Sequence, residues 1–416
     1  MSSSTGKSAA LDHVLLGLDA QRETVIELQR RLVSINAIGP SNAGPGEREK
    51  ADYLKGYLTS MGVQQIKELN ATDSRTACGH RPNLAAIIHG RDTSKTFWVI
   101  SHMDVVPVGD LKLWHSNPFE LLVDGDRVTG RGVMDNHQGI ISSVLLAKEL
   151  LTQKIVPPIN YGLLLVSDEE TGNQYGVNYV AEKHANIFGK NDLFLIPDYG
   201  NAASELIDVA EKSVLWLKIT VTGKQCHAAW PVRGNNSLVA SAAFILKAKS
   251  LHDTFGDKDK LFDIPYSTFT PTKKENNVGS VNIMPGRDVF YMDCRVLPHY
   301  KLEDVIAAVN KIGKEIAKEY GVEISCEAVQ SVQSVEKMST DSEILKRLVP
   351  SIRSVYKNNP NPMGVSCFTV ALGLRRAGHT VAVWATLEEM AHQPNETGSI
   401  AATIGDAKVL ASVLLG

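Results

Sequence analysis

Three short apolar runs in the first half of the chain, each closed abruptly by a histidine or an acid, constrain the fold more than any other feature. Phe97-Trp98-Val99-Ile100 runs into Ser101-His102-Met103-Asp104. Leu163-Leu164-Leu165-Val166 runs into Ser167-Asp168-Glu169-Glu170. Leu193-Phe194-Leu195-Ile196 runs into Pro197-Asp198. Continuous apolar runs of this length are strands buried on both faces, and such strands belong to parallel sheets covered by helices. Helical spacing between the runs agrees: helices are expected at Ile140–Leu151 and Val177–His184, after an amphipathic helix over Leu11–Ser34 and another over Glu47–Met61.

The pattern changes near Lys212. Val214–Val221 alternates like a half-exposed strand. A helix is expected at Ser237–Leu251, strands at Gly279–Ile283 and Asp288–Arg295, a helix at Leu302–Tyr320 and a strand at Val322–Val329. That β-α-β-β-α-β order is ferredoxin-like. Parallel-sheet style then resumes, with a helix at Asp341–Tyr356, a strand at Thr380–Trp384 and a helix from Gly398. The expected fold is therefore α/β: a mostly parallel-sheet domain, residues 1–211 and 331–416, interrupted by an inserted α+β domain at 212–330. A chain of 416 residues exceeds what one core usually serves.

Composition excludes several classes. The formal net charge of -3 gives no basic excess for nucleic acid. Met1–Ala10 has no basic segment followed by an apolar run, so no secretory signal is read, and no run is long enough for a membrane span. Cys78, Cys226, Cys294, Cys326 and Cys367 form no CxxC pair; each is read as a small buried hydrophobe, and a reducing cytoplasm is expected.

The chemistry lies where the apolar runs end. In an open parallel sheet the carboxyl ends of the strands line one crevice. His102, the Asp168–Glu170 acids and Asp198 would all stand there. A lone His-x-Asp is more often structural than functional, and three adjacent acids repel one another unless cations compensate them. Gly130-Arg131-Gly132-Val133-Met134-Asp135-Asn136 lacks the third glycine of a dinucleotide turn. It reads better as a tight turn delivering Asp135 to the helix at Ile140, with a capping aspartate or asparagine as the alternative. Ala391-His392-Gln393-Pro394-Asn395-Glu396 adds a second histidine far downstream. Imidazoles and carboxylates without thiolates suit zinc, with cobalt or manganese able to serve.

Taken in series, His-x-Asp, Gly-Arg-Gly-x-x-Asp, Glu-Glu-Thr-Gly, Pro-Asp and Ala-His-Gln-Pro-Asn-Glu resemble the M20 family of metallopeptidases and deacylases, from about Glu27 to the C-terminus. The resemblance implies two divalent metal ions. Asp135 would bridge them, His102 and Asp198 would complete one shell, and Glu170 and His392 the other. Asp104 would steady His102, and Glu169 would be the general base. In the inserted domain, Gly223-Lys224-Gln225-Cys226-His227-Ala228 looks like the family's lid-histidine segment, which makes His227 a carbonyl contact; Asn282 and Arg295 look like substrate contacts. The implied substrate is a small N-acyl amino acid or short peptide, and the implied assembly is a homodimer joined through the inserted domain. Two departures stand out. Asn136-His137-Gln138-Gly139 replaces the family's frequent lysine-glycine, and His137 is read as supporting or surface. Met363-Gly364-Val365-Ser366-Cys367 departs from a glycine-rich substrate loop.

Two rival readings fit less well. A serine hydrolase would want Gly-x-Ser-x-Gly, but Phe368 stands where Gly364-Val365-Ser366-Cys367 needs the final glycine. A binding or scaffold protein on the same fold would have lost a ligand or the base, and none is lost.

Overall fold

The computed structural model describes residues 2–367 and 369–416, with side chains from residue 9 on; Phe368 and Met1 lie outside the described residues. The chain divides into two compact units. The larger comprises Met1–Val209, Met338–Pro362 and Thr369–Gly416, and the smaller comprises Ala210–Lys337 and Met363–Phe368.

An eight-stranded sheet organises the larger unit. Its order is Gln65–Glu68, Leu84–Ile88, Ile159–Val166, Asp92–His102, Leu193–Gly200, Val381–Ala385, Leu206–Glu211, Asn361–Val365. The four strands Ile159–Val166, Asp92–His102, Leu193–Gly200 and Val381–Ala385 run parallel, and the pairs recorded outside them are antiparallel. The C-terminal segment thus supplies an interior strand, Val381–Ala385. Trp98, Ile100, Leu164, Val166, Phe194 and Ile196 are buried against Val177, Val180, Ala371 and Leu374. The helices His137–Thr152 and Ile400–Leu415 pack on each other, together with Arg22–Ser34 and Glu343–Tyr356. Each fully buried leucine, isoleucine or phenylalanine contributes roughly 1.5–3 kcal/mol. That core supplies the free energy for crowding acids at the strand ends.

The N-terminal region corrects one expectation. Leu11–Ser34 is not one helix but parts of two, Ser2–Asp19 and Arg22–Ser34. Ala20 and Gln21 turn the chain by bonding to the carbonyls of Gly17 and Leu18. Leu18 and Val25 are about two helical turns apart, so the apolar spacing reads straight through the break. The cysteines correct another. Cys294 is buried, but Cys78 is exposed and Cys226, Cys326 and Cys367 are intermediate, all as free thiols.

The smaller unit is a four-stranded antiparallel sheet in the order Thr268–Lys274, Arg287–Val296, Ser213–Thr222, Glu323–Val332. The helices Ser237–Lys247 and Leu302–Tyr320 cover it through Ala240, Phe244, Val305, Val309, Ile312 and Ile316. The β-α-β-β-α-β order holds, but its second strand is Thr268–Lys274. Gly279–Ile283 is not a strand of this sheet; only Ile283–Met284 is extended, and it pairs with Cys226–His227. Thr268–Lys274 carries a proline and is mostly exposed, as an edge strand permits.

Candidate metal centre

His102 ends its strand, and Val166 ends the parallel neighbour with which it is in register. The turn after Val166 carries the acids. Asp168 has a left-handed backbone, φ 65°, and Glu169–Thr171 forms a single helical turn behind it. That reversal separates three adjacent carboxylates. Asp168 points into the protein, where Arg81 pairs with it at 3.2 Å and also pairs with buried Glu47. The compensation expected of a bound cation is, for Asp168, supplied by an arginine. Glu170 points to the centre instead.

Asp135 sits between two imidazoles. Its Oδ1 is 2.9 Å from His102 Nε2, and its Oδ2 is 3.3 Å from His392 Nε2. Asp198 Oδ1 lies 3.4 Å from the same His102 nitrogen, and Glu170 Oε2 lies 3.1 Å from the same His392 nitrogen. The donors therefore fall into two overlapping sets, His102–Asp135–Asp198 and Asp135–Glu170–His392, each with its ligand atoms within 4.8 Å of one another. A further set, His102–Glu169–Glu170, overlaps them.

The turn that carries Asp135 is built for close approach. Gly132 has φ 87°, and a Cβ there would stand 2.7 Å from His137 Cε1 and from Val105 Cγ1. The helix begins at His137, three residues before the expected start. Asn136 occupies the capping position without bonding the helix amides. Its side-chain amide donates to Asp198 Oδ1 at 2.7 Å and to the Pro197 carbonyl at 2.6 Å. The capping alternative is thereby excluded: Asn136 holds Asp198. His137 is buried, and its Nε2 meets Lys50 Nζ at 2.7 Å. Burial pulls that lysine down to about 7.

Asp104 does more than accompany His102. The His102 Nδ1 lies 3.1 Å from the Asp104 carbonyl and 3.5 Å from its Oδ1. The same carboxylate accepts the backbone N–H of Glu169 at 3.1 Å and of Glu170 at 3.0 Å. It thus ties the end of one strand to the acidic turn after the next.

The electrostatics follow from crowding. Glu169 is pushed well above the usual carboxylate range, chiefly by burial, with Asp198, Glu170 and Asp135 adding repulsion that His102 only partly offsets. Burial and Asp135 push Glu170 up to about 7. Burial opposes charge on His102, yet Asp198, Asp104 and Asp135 hold its pKa well above normal. Asp135 and Glu170 raise His392 to about 10.

The residues fit divalent cations. The donors are nitrogen and oxygen, with no sulfur, which suits zinc or a similar ion. Glu170 Oε1 is buried with no hydrogen-bond partner among the described residues, and a buried polar atom is seldom left so.

The smaller unit holds the remaining candidates. His227 lies on the two-residue strand opposite Ile283 and is exposed. Its Nδ1 accepts from the Ala229 amide at 3.0 Å, which leaves Nε2 as the donor. Asn282 is beside it, its carbonyl accepting from Ala228 N at 2.9 Å. His227 does not end the strand Ser213–Thr222. Arg295 is elsewhere in the unit. Its fork is closed on Asp293 at 2.7 and 2.9 Å, and it donates to the Ser366 carbonyl at 3.1 Å. Trp216 Nε1 also donates to Asp293.

Sequence reasoning left several supporting residues without a role: Lys50, Glu47, Arg81, Asn136 and Glu396. Glu396 and Asn136 lay in recognised motifs, Asn136 only as a capping alternative, and no local signal marks the others.

The model of peptidase family M20/M25/M40 matches residues 98–416. An uncharacterized metallohydrolase of Methanocaldococcus jannaschii is 38% identical over 409 residues, covering 94% of this chain and 99% of its own length. The succinyl-diaminopimelate desuccinylase of Polynucleobacter necessarius is 29% identical over 302 residues, covering 72% of this chain and 76% of its own. Among solved structures, the di-peptidase Dug1p of Saccharomyces cerevisiae superposes with a TM-score of 0.72 at 16% identity, covering 97% of this chain and 98% of that one. Among the described residues no helix is long and apolar enough to cross a membrane.

Proposed function

Because the chain belongs to peptidase family M20/M25/M40 and is a metal-dependent hydrolase, we propose that it cleaves an amide bond in a small N-acyl amino acid or dipeptide-like substrate at a pair of divalent ions. The observation that carries the reading is the placement of Asp135, one carboxylate oxygen toward each histidine. His102, Asp135 and Asp198 would hold one ion, and Asp135, Glu170 and His392 the other. Zinc suits these donors best; cobalt or manganese would also serve. The desuccinylase among the relatives supports an N-acyl substrate.

When bound, such a pair supplies Lewis acidity and a water acidic enough to attack near neutral pH. The chain's own residues do the rest. Glu169 takes the proton from the attacking water and delivers it to the leaving nitrogen, a shuttle worth roughly 10²–10⁴-fold. Its raised affinity for a proton suits that second task. Asp104 holds the Glu169 amide, so the base keeps its direction while its carboxylate works. His227, with Nε2 as donor, stabilises the charge that develops on the carbonyl oxygen. Asn282 and Arg295 contact the substrate; Arg295 reaches a substrate carboxylate by exchanging Asp293 for it. A homodimer joined through the smaller units would let His227 serve the partner's centre.

The test is elemental analysis of gently purified protein with turnover of N-acetyl, N-succinyl, N-carbamoyl and dipeptide substrates. Two equivalents of metal and hydrolysis within that panel are expected. Full activity with a single equivalent would undo the pair.

A further inference from the structure

Glu396 is wholly buried and lies four residues beyond His392. Its carboxylate is saturated. Oε2 accepts from Arg131 Nη1 at 2.8 Å and from the Gly132 amide at 2.9 Å. Oε1 accepts from the amides of Met134 and Asp135, each at 3.0 Å. Its carbonyl accepts from the Gly130 amide at 3.1 Å. Every one of these donors belongs to the turn that delivers Asp135. The segment carrying His392 is anchored by Glu396 and Asn395, whose side chain accepts from the His115 amide and donates to the Leu113 carbonyl, each at 2.8 Å.

We infer that Glu396 is a positioning residue of the metal centre. One carboxylate fixes the peptide that orients Asp135 and holds it in register with the loop that presents His392. The inference rests on the two-ion reading above. The Glu396 carboxylate is wholly buried and bonds to the turn that carries Asp135, so its effect passes through Asp135 and His392. A carboxylate is required because all four donors are N–H groups. A glutamine offers one oxygen and one amide, and whichever way it turns, two of the donors meet another donor. Removing a group that orients a ligand typically costs about 10–100-fold in metal affinity.

The experiment uses the full chain, stripped of metal by chelation, with cobalt(II) as the probe. Native protein, Glu396→Gln and Glu396→Asp are titrated against a competing chelator. The visible absorption of bound cobalt is recorded, together with the melting temperature of each metal-free form. Glu396→Gln is expected to bind cobalt about 10–100-fold more weakly with an altered spectrum. Glu396→Asp, which keeps two oxygens on a shorter arm, should fall between it and the native protein. If Glu396→Gln does not fold, Glu396→Asp carries the comparison alone: weaker binding supports the inference, and native binding overturns it. Native affinity and spectrum in folded Glu396→Gln would also overturn it, even if the metal-free protein melts lower, because Glu396 would then serve the fold alone. Failure of the native protein to take up cobalt would instead remove the two-ion reading itself, and no Glu396 variant is needed to see that.

Discussion

Asp135 offers its two oxygens to different histidines, Oδ1 to His102 at 2.9 Å and Oδ2 to His392 at 3.3 Å. A carboxylate so placed is shared, and replacing it should disturb both sets at once. Asp135→Asn is expected to lose both equivalents of bound metal, whereas Asp198→Asn or Glu170→Gln should weaken one. Elemental analysis after dialysis distinguishes these outcomes; an Asp135→Asn protein that keeps a full complement refutes the shared role.

Adjacent glutamates are expected to fail differently. Glu169→Gln should retain metal and melting temperature but lose roughly 10²–10⁴-fold in kcat. Glu170→Gln should lose metal first and turnover as a consequence. Comparable kcat in Glu169→Gln and native protein would show that the proton travels by another route.

Whether His227 acts on its own chain or on a partner is open to a mixing experiment. His227→Ala and Glu169→Gln, each inactive alone, are combined under conditions that exchange subunits. A site completed by the partner's His227 restores part of the activity, because one site in each mixed dimer holds both groups intact. No recovery, with exchange demonstrated by differential labelling, excludes service between subunits and leaves the metal centre untouched.

Away from the centre, Glu68 pairs with Arg48 and Lys55, and those bonds lower its pKa from the ordinary 4.5 to about 2. Its folded pKa is depressed, so its contribution is present above about 4.5 and is lost as pH falls toward about 2. Glu68→Gln should therefore destabilise the protein near neutrality, by about 1 kcal/mol for a partly exposed network. The deficit should shrink on acidification through that window. Melting temperatures recorded across the range would show it; a constant deficit means that the mutation acts through packing.

The sheet was legible because each of its central strands carries a continuous apolar run. Leu163–Val166 cannot be anything but buried, and the acids directly after it must stand at the strand's end. His102, Glu170 and Asp198 were readable for that reason. Thr268–Lys274 was not, since an edge strand with a proline carries neither the alternation nor the apolar content that marks strands. Charge was the other blind spot. Arg81 neutralises Asp168 across 87 residues of sequence, Lys50 reaches His137 across the same separation, and Asn136 holds Asp198 rather than capping a helix. Such pairings depend on which loops meet, and no local pattern encodes that.

The interior seat of Val381–Ala385, between Leu193–Gly200 and Leu206–Glu211, bears on how the protein is made. While the chain grows from its N-terminus, those two strands emerge long before the one that joins them. The nascent sheet stays split, with the apolar edge of Leu193–Ile196 unpaired until Val381–Ala385 leaves the ribosome. His392 and Glu396 arrive later still. On the two-ion reading, the set Asp135–Glu170–His392 is completed only then, and a chain stopped before Val381 should be an open, protease-sensitive product with no hydrolytic capacity. Limited proteolysis of a chain stopped at Gly378 would test this, and native-like resistance would show that the sheet closes without its C-terminal strand.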